Sequence, residues 1–429
     1  MLKKDETVAF LRDRILAKGV HYYPPDSHIV NGEGIYFYSG YGSTLYTPEI
    51  FFDSIMLSHF GNTDIGINSL KIYLNFQEED GFIRRNAFTH ATQEKSYPWT
   101  RFEIEEHAQP FLFQTALFLS RMRDDISWLS KEMYSGLKRY LEHWLVFWDR
   151  DSNGLCEWNS AQHGCSDNAF DRAGTWRALF CEGVDLNCWL YMEYLAAEKI
   201  AAALGQHDDK RYFASQAELK KRLIQELLWN DEDGFFYDRD IRTGKPIKVK
   251  HCHCLHPLEC GIATKEQAER IVEKHVKNPQ EFWSKYPVPS YAMNELNYTQ
   301  YHKRPPGSNV LHYLPDGHCN WRGGLWPHAE YWLCHGLMRY GFTAEAIYIA
   351  SRCLELVEAD PGLYEWYNPE TGEGQGGHPF HAGAEVLMAF LKTELETGFN
   401  PFIIEDVEKK LDNSKLKNIL GIVPIEGIL

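Results

Sequence analysis

A short acidic turn that ends in glycine recurs along the chain at a nearly constant interval. It reads Glu79-Asp80-Gly81-Phe82, then Asp151-Ser152-Asn153-Gly154-Leu155, then Asp231-Glu232-Asp233-Gly234-Phe235, with a looser copy at Asn368-Pro369-Glu370-Thr371-Gly372. Acidic residues followed by glycine favour tight turns. The first three glycines lie 73 and 80 residues apart (154 − 81 and 234 − 154). Such an interval holds one pair of helices with its two loops, and about six pairs fill the 429 residues.

Helical periodicity occupies much of the sequence between these turns. Apolar residues recur at spacings of three and four, which gives each stretch one buried stripe. The predicted helices are 109–121, 131–148, 185–205, 213–229, 326–340 and 343–357. Six helical hairpins closed in a ring form an all-α (α/α)6 toroid, and we predict this fold with long loops at one mouth. An open helical solenoid is the alternative, disfavoured by the irregular period and the unequal loops.

The sequence indicates one domain. No low-complexity segment and no linker rich in Pro, Gly or Ser divides it, so we predict a single catalytic domain over 1–429. Within it, 1–40 form an N-terminal helix and lead-in, and 395–429 form a C-terminal extension. The N-terminal stretch is amphipathic rather than continuously apolar, unlike a signal peptide, and no apolar run is long enough to span a membrane. With ten cysteines and no secretion signal, free thiols and a cytoplasmic location are expected.

Charge and aromatic content restrict the possible partners. The formal net charge is −16, whereas binding to a phosphate backbone needs clustered Lys and Arg. Nucleic acid and membrane are therefore not expected partners. Aromatic residues make up 14% of the chain, and such residues pack in cores as well as against the apolar faces of sugar rings.

Two polar segments carry carboxyl groups among aromatic residues. Asp167 lies in the first, 151–172, and a carboxylic acid beside apolar rings has the raised pKa that a general acid needs. A turn or a helix cap is the other interpretation of Asp167. Glu365 lies in the second, 363–383, between two aromatic residues and before a glycine-rich stretch; it could also be a solvated loop residue. These glycines lack the Lys-Ser/Thr and the preceding strand of a phosphate-binding loop.

Two further segments are ambiguous. In 316–327, Arg322 lies between two tryptophans and beside glycines, which suits either a hydroxyl-rich ligand or a structural loop. The segment 251–260 reads His-Cys-His-Cys-Leu-His-Pro-Leu-Glu-Cys and suggests zinc. Its spacing matches no common structural zinc site, and the alternation also suits a short buried strand or loop. No feature favours one thiol as a nucleophile. We therefore expect no metal and no cofactor.

Three motifs occur in order along the chain: Asp167-Asn168, Asn320-Trp321-Arg322-Gly323-Gly324-Leu325-Trp326-Pro327, and Glu365-Trp366-Tyr367-Asn368-Pro369-Glu370-Thr371-Gly372-Glu373-Gly374. Together, from about residue 40 to 390, they resemble the (α/α)6 glycosidases of glycoside hydrolase family 63 and the related trehalases. The short bacterial branch of mannosylglycerate and glucosylglycerate hydrolases is the most similar.

This resemblance implies roles for individual residues. Asp167 corresponds to the general acid of the family and Glu365 to the general base. Asp53, in Phe51-Phe52-Asp53-Ser54, corresponds to the Asp of a Trp-x-Trp-Asp motif that holds the sugar, and Gln109 corresponds to a sugar ligand. The resemblance also implies substrate contacts by a further set of residues: Asn168, Trp321, Arg322, Gly323, Trp326, Trp366, Gln375 and His378. Phe380-His381-Ala382-Gly383 departs from the family's Phe-x-Trp-Thr, which argues for a different substrate.

The resemblance implies an inverting hydrolysis of an α-linked glucoside or mannoside of a small molecule or oligosaccharide. Inversion needs room for a water molecule, so the two carboxyl groups should lie roughly 6.5–9.5 Å apart. A sugar epimerase on the same toroid, using histidines such as His378 and His381 as acid and base, is the alternative. A non-catalytic glycan-binding protein is a third possibility. The oligomeric state is not determined by the sequence.

Overall fold

The computed structural model describes residues 20–23, 34–37, 44–88, 107–158, 180–296, 298–300, 320–359, 364–376, 391, 394–395, 398 and 400–402. These residues form two compact units. The first unit takes its residues from Ala161–Cys188 and Lys221–Asn400, and the second from Lys4–Ser160, Trp189–Lys220 and Pro401–Leu429. The predicted N-terminal helix and most of the C-terminal extension lie outside the described residues. In the part of the chain that is described, no helix is both long and apolar enough to cross a membrane.

Helices dominate the described structure. The α-helices are α1 (Thr47–His59), α2 (Thr63–Leu74), α3 (Leu112–Arg123), α4 (Lys131–Trp148), α5 (Val184–Ala203), α6 (His207–Leu223), α7 (His256–Glu259), α8 (Lys265–Ile271), α9 (Pro327–Arg339) and α10 (Thr343–Ala359). Short π-helical turns follow α6 and α8, at Ile224–Leu228 and Val272–Val276. Short 3₁₀-helices occupy Cys252–Leu255 and Asn320–Arg322.

The predicted helices are confirmed as elements, with shifts at their ends. The prediction 131–148 coincides with α4, where the Ser130 side chain accepts a hydrogen bond from the Met133 N–H and caps the helix. The predicted helix 213–229 starts six residues earlier, at His207, and ends in the π-helical turn. The segment 251–260 is buried, as expected, but it is helical rather than a strand or loop.

The strands are short and antiparallel. They are β1 (Val20–Tyr23), β2 (Gly34–Phe37), β3 (Thr44–Tyr46), β4 (Asn86–Phe88), β5 (Cys181–Glu182), β6 (Trp229–Asn230), β7 (Phe235–Phe236), β8 (Asp238–Asp240), β9 (Lys245–Ile247), β10 (Trp366–Tyr367) and β11 (Gly374–Gln375). Four pairs form, β1–β2, β3–β4, β6–β7 and β10–β11, together with one three-stranded sheet in the order β5-β8-β9.

The recurrent acidic turns have the backbone that their glycines require. Gly81, Gly154 and Gly234 have φ values of 94°, 96° and 72°, in the left-handed region where a Cβ is disfavoured. Each turn follows a helix or a short hairpin strand, so the repeat marks the connections between elements. The prediction of turns at this interval is therefore confirmed.

The second unit has its core around the amino-terminal half of the chain. Helix α1 is buried from Ile50 to His59, and Phe51 stacks on Phe111 with ring centroids 5.7 Å apart. At the start of α3, the backbone N–H groups of Phe113 and Gln114 donate to the carboxyl group of Glu193 at 2.9 Å. Burial raises the pKa of Glu193 to about 7.

The first unit has its core around α9. This helix packs against both α7 and α10. Tyr331 and His335, one turn apart on α9, both contact the buried Glu394, with oxygen–oxygen and nitrogen–oxygen distances of 2.7 and 3.0 Å. The residues that precede α9 form the candidate site.

Candidate active site

A two-stranded hairpin positions Glu365. Strands β10 and β11 pair with Trp366 opposite Gln375 and Tyr367 opposite Gly374, and Glu365 immediately precedes the first strand. Within the loop, the Asn368 side chain accepts hydrogen bonds from the N–H groups of Glu370 and Thr371, at 2.9 and 3.1 Å. These bonds fix the turn because they satisfy backbone donors locally. Glu365 itself is buried, with 7% of its surface exposed.

The hairpin is joined by backbone hydrogen bonds to the segment that carries the tryptophans. The N–H of Leu325 donates to the carbonyl of Tyr367, and the N–H of Tyr367 donates to the carbonyl of Leu325, both at 2.9 Å. This reciprocal pair is an isolated antiparallel bridge. Two motifs about forty residues apart in sequence are thereby held side by side in the first unit.

Three tryptophans form a continuous stack at this junction. The rings of Trp321 and Trp326 lie 3.8 Å apart with an interplanar angle of 6°, and Trp326 stacks on Trp366 at 4.8 Å and 27°. We call Trp321, Trp326 and Trp366 the tryptophan stack. The three side chains are only 2–3% exposed, since the rings cover one another. Their predicted contact with sugar remains a prediction, because the described contacts are those of a buried core.

The glycines that follow Glu365 make room for aromatic rings. A Cβ on Gly374 would lie 2.1 Å from the Tyr364 ring, and one on Gly376 would lie 2.3 Å from the Trp366 ring. Gly376 also has a φ of 84°, which disfavours any side chain. The glycine-rich stretch thus allows the hairpin to pack closely against its own aromatic residues.

Gln375 and Gly323 have defined structural partners. The Trp366 Nε1–H donates to the Gln375 Oε1 at 3.2 Å, which orients the Gln375 amide inside the hairpin. Gly323 lies close to the backbone of Thr299, and a Cβ on Gly323 would be 2.7 Å from the carbonyl oxygen of Thr299. Both positions were predicted as substrate contacts, and both are fixed by the packing that builds the site.

Arg322 and His328 are the partly exposed residues of the segment 321–330, whose other members are buried. The His328 ring lies at the edge of the stack, 5.3 Å from Trp321 and 5.5 Å from Trp326. A role was predicted from the sequence for Arg322 but not for His328. The sequence feature that could have indicated His328 is its position two residues after Trp326, in the first turn of α9, where a side chain can project beside the stack.

A chain of buried polar side chains lies behind Trp321. The His253 ring packs against Trp321 at 4.9 Å, and its Nδ1 lies 3.2 Å from His256 Nε2. His256 Nδ1 in turn lies 2.8 Å from a carboxyl oxygen of Glu259. All three are at most 4% exposed. The tryptophan stack therefore rests on a hydrogen-bonded base rather than on apolar side chains alone.

Glu330 on α9 is a second carboxyl group close to the stack in sequence. Its N–H donates to the carbonyl of Trp326, and its Oε1 accepts the N–H of Val288 at 2.9 Å. Its Oε2 is buried and has no hydrogen-bond partner among the described residues. Burial raises the pKa of Glu330 to about 8, so this acid is mostly protonated at neutral pH.

Two predicted site residues belong to the second unit. Asp53 lies on α1 and is 3% exposed, and Gln109 precedes α3 and is 1% exposed. The Gln109 carbonyl accepts a hydrogen bond from the Tyr140 hydroxyl. Phe51 and Phe52 are buried in the core of this unit. Their aromatic rings pack inside this unit.

The remaining predicted site residues lie outside the described residues. They are Asp167, Asn168 and His378, and the second histidine that was considered, His381, lies outside them too. The structure brings Glu365 and Gln375 together with the tryptophan stack, Arg322 and Gly323 in the first unit.

A comparison with protein families identifies the chain. The model of the mannosylglycerate hydrolase MGH1-like glycoside hydrolase domain matches residues 49–381, most of the 429 residues. The chain belongs to this family of glycoside hydrolases. The matched range contains every predicted site residue, from Asp53 to His378.

Similar proteins include two bacterial hydrolases. The mannosylglycerate hydrolase of Rubrobacter radiotolerans is 25% identical over 193 residues, which is 44% of this chain and 39% of that protein. The mannosylglycerate hydrolase of Thermus thermophilus is 28% identical over 163 residues, 38% of this chain and 34% of that protein. The alignments thus span well under half of each relative.

A solved structure extends the likeness to nearly the whole chain. A family 63 mannosylglycerate hydrolase from Thermus thermophilus, solved in complex with Tris and D-glycerate, superposes with a TM-score of 0.68 at 17% identity. The superposition covers 90% of this chain and 99% of that chain. At this identity the likeness shows a shared, helix-rich fold.

Proposed function

We propose that the chain hydrolyses the α-glycosidic bond of a small mannoside or glucoside, with inversion at the anomeric carbon. The observation that carries this proposal is the reciprocal Leu325–Tyr367 backbone pair, at 2.9 Å in both directions. It places the Glu365 hairpin beside the tryptophan segment in a chain of a glycoside hydrolase family. The proposed scaffold is one catalytic domain, a closed ring of six helical hairpins.

In the proposed mechanism, Glu365 is the general base. It removes a proton from a water molecule that attacks the anomeric carbon, and Asp167 protonates the leaving glycosidic oxygen from the opposite side. The hairpin supports this role because its backbone pairs and its Asn368-centred loop hold Glu365 at a fixed place. We expect a carboxyl separation of roughly 6.5–9.5 Å, which leaves room for the water.

Substrate binding is proposed for Asp53, Gln109, Asn168, His378 and the partly exposed Arg322. Guanidinium and carboxyl groups can hydrogen-bond sugar hydroxyls in fixed directions. Because a related enzyme was solved with D-glycerate, we propose a glycerate conjugate of mannose or glucose as the first substrate to test. In that substrate, Arg322 donates two parallel hydrogen bonds to the glycerate carboxylate, as a bidentate partner.

A substrate panel tests this proposal. Mannosylglycerate, glucosylglycerate, trehalose and simple α-glucosides are incubated with the full chain, and the anomer released first is recorded by proton NMR. We expect hydrolysis of at least one member; inversion releases the β-anomer first from a glycerate conjugate or a simple α-glucoside, and α- and β-glucose in equal amounts from trehalose. Initial release of the α-anomer alone would indicate retention and contradict the role of Glu365 as base. Epimerisation of free sugar without hydrolysis of any member would favour the isomerase.

A variant of Asp167 tests the acid. Asp167→Asn should lower turnover of a substrate with a poor leaving group at least about a hundredfold. The same variant should lose much less activity on an aryl glycoside, whose leaving group needs little protonation. Equal losses on both substrates would contradict the assignment of Asp167 as general acid, and circular dichroism would verify that the variant is folded.

A further inference from the structure

The first unit contains a buried group of three side chains whose types can ligate a metal ion. Asp238, on β8, contacts His251 of the segment 251–260, which also contributes Cys254. One ligand atom of each lies within 4.8 Å of the others. All three side chains are at most 2% exposed. We call Asp238, His251 and Cys254 the 238–254 cluster.

Local backbone structure brings the cluster together. His251 is the residue before the 3₁₀-helix Cys252–Leu255, and the Cys254 N–H donates to the His251 carbonyl at 3.0 Å. A 3₁₀-helix has three residues per turn, so side chains at i and i+3 lie above one another. The 3₁₀ turn thus makes a ligand pair from residues whose spacing matches no common zinc motif. Asp238 supplies a third ligand from 13 residues earlier.

The hydrogen-bond geometry of His251 is unusual. Its Nε2 lies 3.2 Å from Asp238 Oδ2 and 3.1 Å from Cys254 Sγ. One ring nitrogen carries at most one hydrogen, so an N–H could serve only one of the two acceptors fully. A lone pair on Nε2, with a carboxylate oxygen and a sulfur on either side, is instead the arrangement of three ligands around one cation.

The distances and charges also suit a cation. With zinc bonds of about 2.0–2.3 Å to N, O and S, tetrahedral ligand atoms lie roughly 3.3–3.6 Å apart. The observed 3.1 and 3.2 Å need an opening of only a few tenths of an ångström. A thiolate and a carboxylate with a neutral imidazole carry two negative charges, which a divalent cation neutralises. Burial makes this neutralisation important because an isolated buried charge is costly.

Hydrogen bonds from neighbouring backbone groups orient the cluster. The second oxygen of Asp238, Oδ1, accepts the N–H of Val184 at the start of α5, at 2.8 Å. Such an outer contact orients a ligating carboxylate. The backbone around His251 is held by the Cys252 N–H, which donates to the Ser290 carbonyl at 2.8 Å, and by the His251–Tyr291 bridge.

We propose that the 238–254 cluster binds one divalent transition-metal ion, with Zn²⁺ as the best fit to its N, O and S donors. Three protein ligands leave one tetrahedral position for a water molecule. Its ligands are buried, and the site joins β8, the start of α5 and the 251–255 turn. It also fixes His253, the neighbour of Cys254, against Trp321.

Metal content and a cobalt spectrum test this proposal. The full chain is expressed with added zinc, purified without chelator and analysed by mass spectrometry of its metals. We expect about one zinc per chain. After removal of zinc and addition of Co²⁺, we expect the intense thiolate-to-cobalt charge-transfer absorption of a cysteine ligand. Zinc far below one per chain, or a cobalt spectrum without thiolate absorption, would overturn the proposal.

Two matched cysteine variants locate the site. Cys254→Ser removes a proposed ligand, whereas Cys252→Ser removes a buried thiol two residues away. Loss of an outer-shell partner costs up to about 100-fold in metal affinity, so loss of the ligand Cys254 should cost more than about 100-fold. Cys252→Ser should bind zinc within about threefold of the unaltered chain. Equal losses in both variants would contradict the assignment. If Cys254→Ser does not fold, the cobalt spectrum of the unaltered chain decides the question.

Discussion

The tryptophan stack and the buried polar groups of the first unit differ in how far they can be predicted from the sequence. The stack is assembled from two contiguous motifs, 321–327 and 365–375, whose residues are neighbours in both sequence and space. The polar groups are assembled from distant residues: Asp238 with His251, and Glu330 with the backbone of Val288. A motif search finds the first kind of site, whereas the second becomes apparent only when the strands and turns are in place.

The two regions also differ in how their stability should respond to change. Within the stack, the three rings are held by contacts with one another, and these ring contacts do not depend on pH. The polar groups depend on hydrogen bonds and protonation in a medium where an unpaired charge is costly. The difference between the regions can therefore be measured with substitutions and with pH.

Trp326→Ala should produce the largest loss of stability. The Trp326 ring contacts rings on both sides, at 3.8 and 4.8 Å, so its removal leaves a large buried cavity. We expect the free energy of unfolding to fall by about 3–5 kcal/mol in urea denaturation. Trp283→Ala is the matched control, because Trp283 stacks on the exposed Tyr348 at 5.1 Å. If Trp326→Ala lowered the free energy of unfolding no more than Trp283→Ala, the tryptophan stack would not be part of the stabilising core.

Glu330 should make stability fall as pH rises. The folded chain holds the proton up to a pKa of about 8, while the unfolded chain releases it near 4.5. The contribution of Glu330 to the free energy of unfolding is therefore largest below about pH 4.5, and it is lost progressively as the pH rises towards 8. By pH 7 the loss is on the order of 3 kcal/mol.

Glu330→Gln provides the comparison for this pH effect. It keeps an oxygen that can accept the Val288 N–H but cannot ionise. Urea denaturation between pH 5 and pH 8 should therefore give a flatter profile in the variant than in the unaltered chain. The same pH slope in both proteins would mean that other groups cause it.

Gly374→Ala should have a smaller effect. A Cβ there would lie 2.1 Å from the Tyr364 ring, so the hairpin must shift, at a cost of about 1–3 kcal/mol in unfolding free energy. In a Tyr364→Ala background the same substitution should cost under about 0.5 kcal/mol, because the ring is gone. An unchanged cost in that background would indicate backbone strain instead of a clash.

Helices that have one polar face and one buried face could be predicted from the periodicity of the sequence. The prediction 131–148 coincides with α4 because the buried stripe and the Ser130 cap are both local signals. Helix α1 was not predicted, since its residues from Ile50 to His59 are all buried and leave no polar face to reveal a period. The early start of α6 was missed because its first turns are polar.

The candidate site was predictable to the extent that its motifs are contiguous. Glu365, Trp321, Arg322 and Trp326 were predicted because they lie within contiguous motifs. The burial of the stack was not predictable, since it results from the Leu325–Tyr367 pair. Asp238 was missed because a strand register and a 3₁₀ turn, rather than spacing in sequence, bring it to His251.

The turnover of Glu365→Gln on the best substrate of the panel tests the central claim most directly. Glu373→Gln is the matched control, because Glu373 lies in the same hairpin loop but is exposed. Glutamine cannot take the proton from water, so we expect Glu365→Gln to lose at least about a hundredfold in kcat, and Glu373→Gln to remain within about threefold. A folded Glu365→Gln variant that retained more than about a tenth of the turnover would contradict the assignment of Glu365 as the general base.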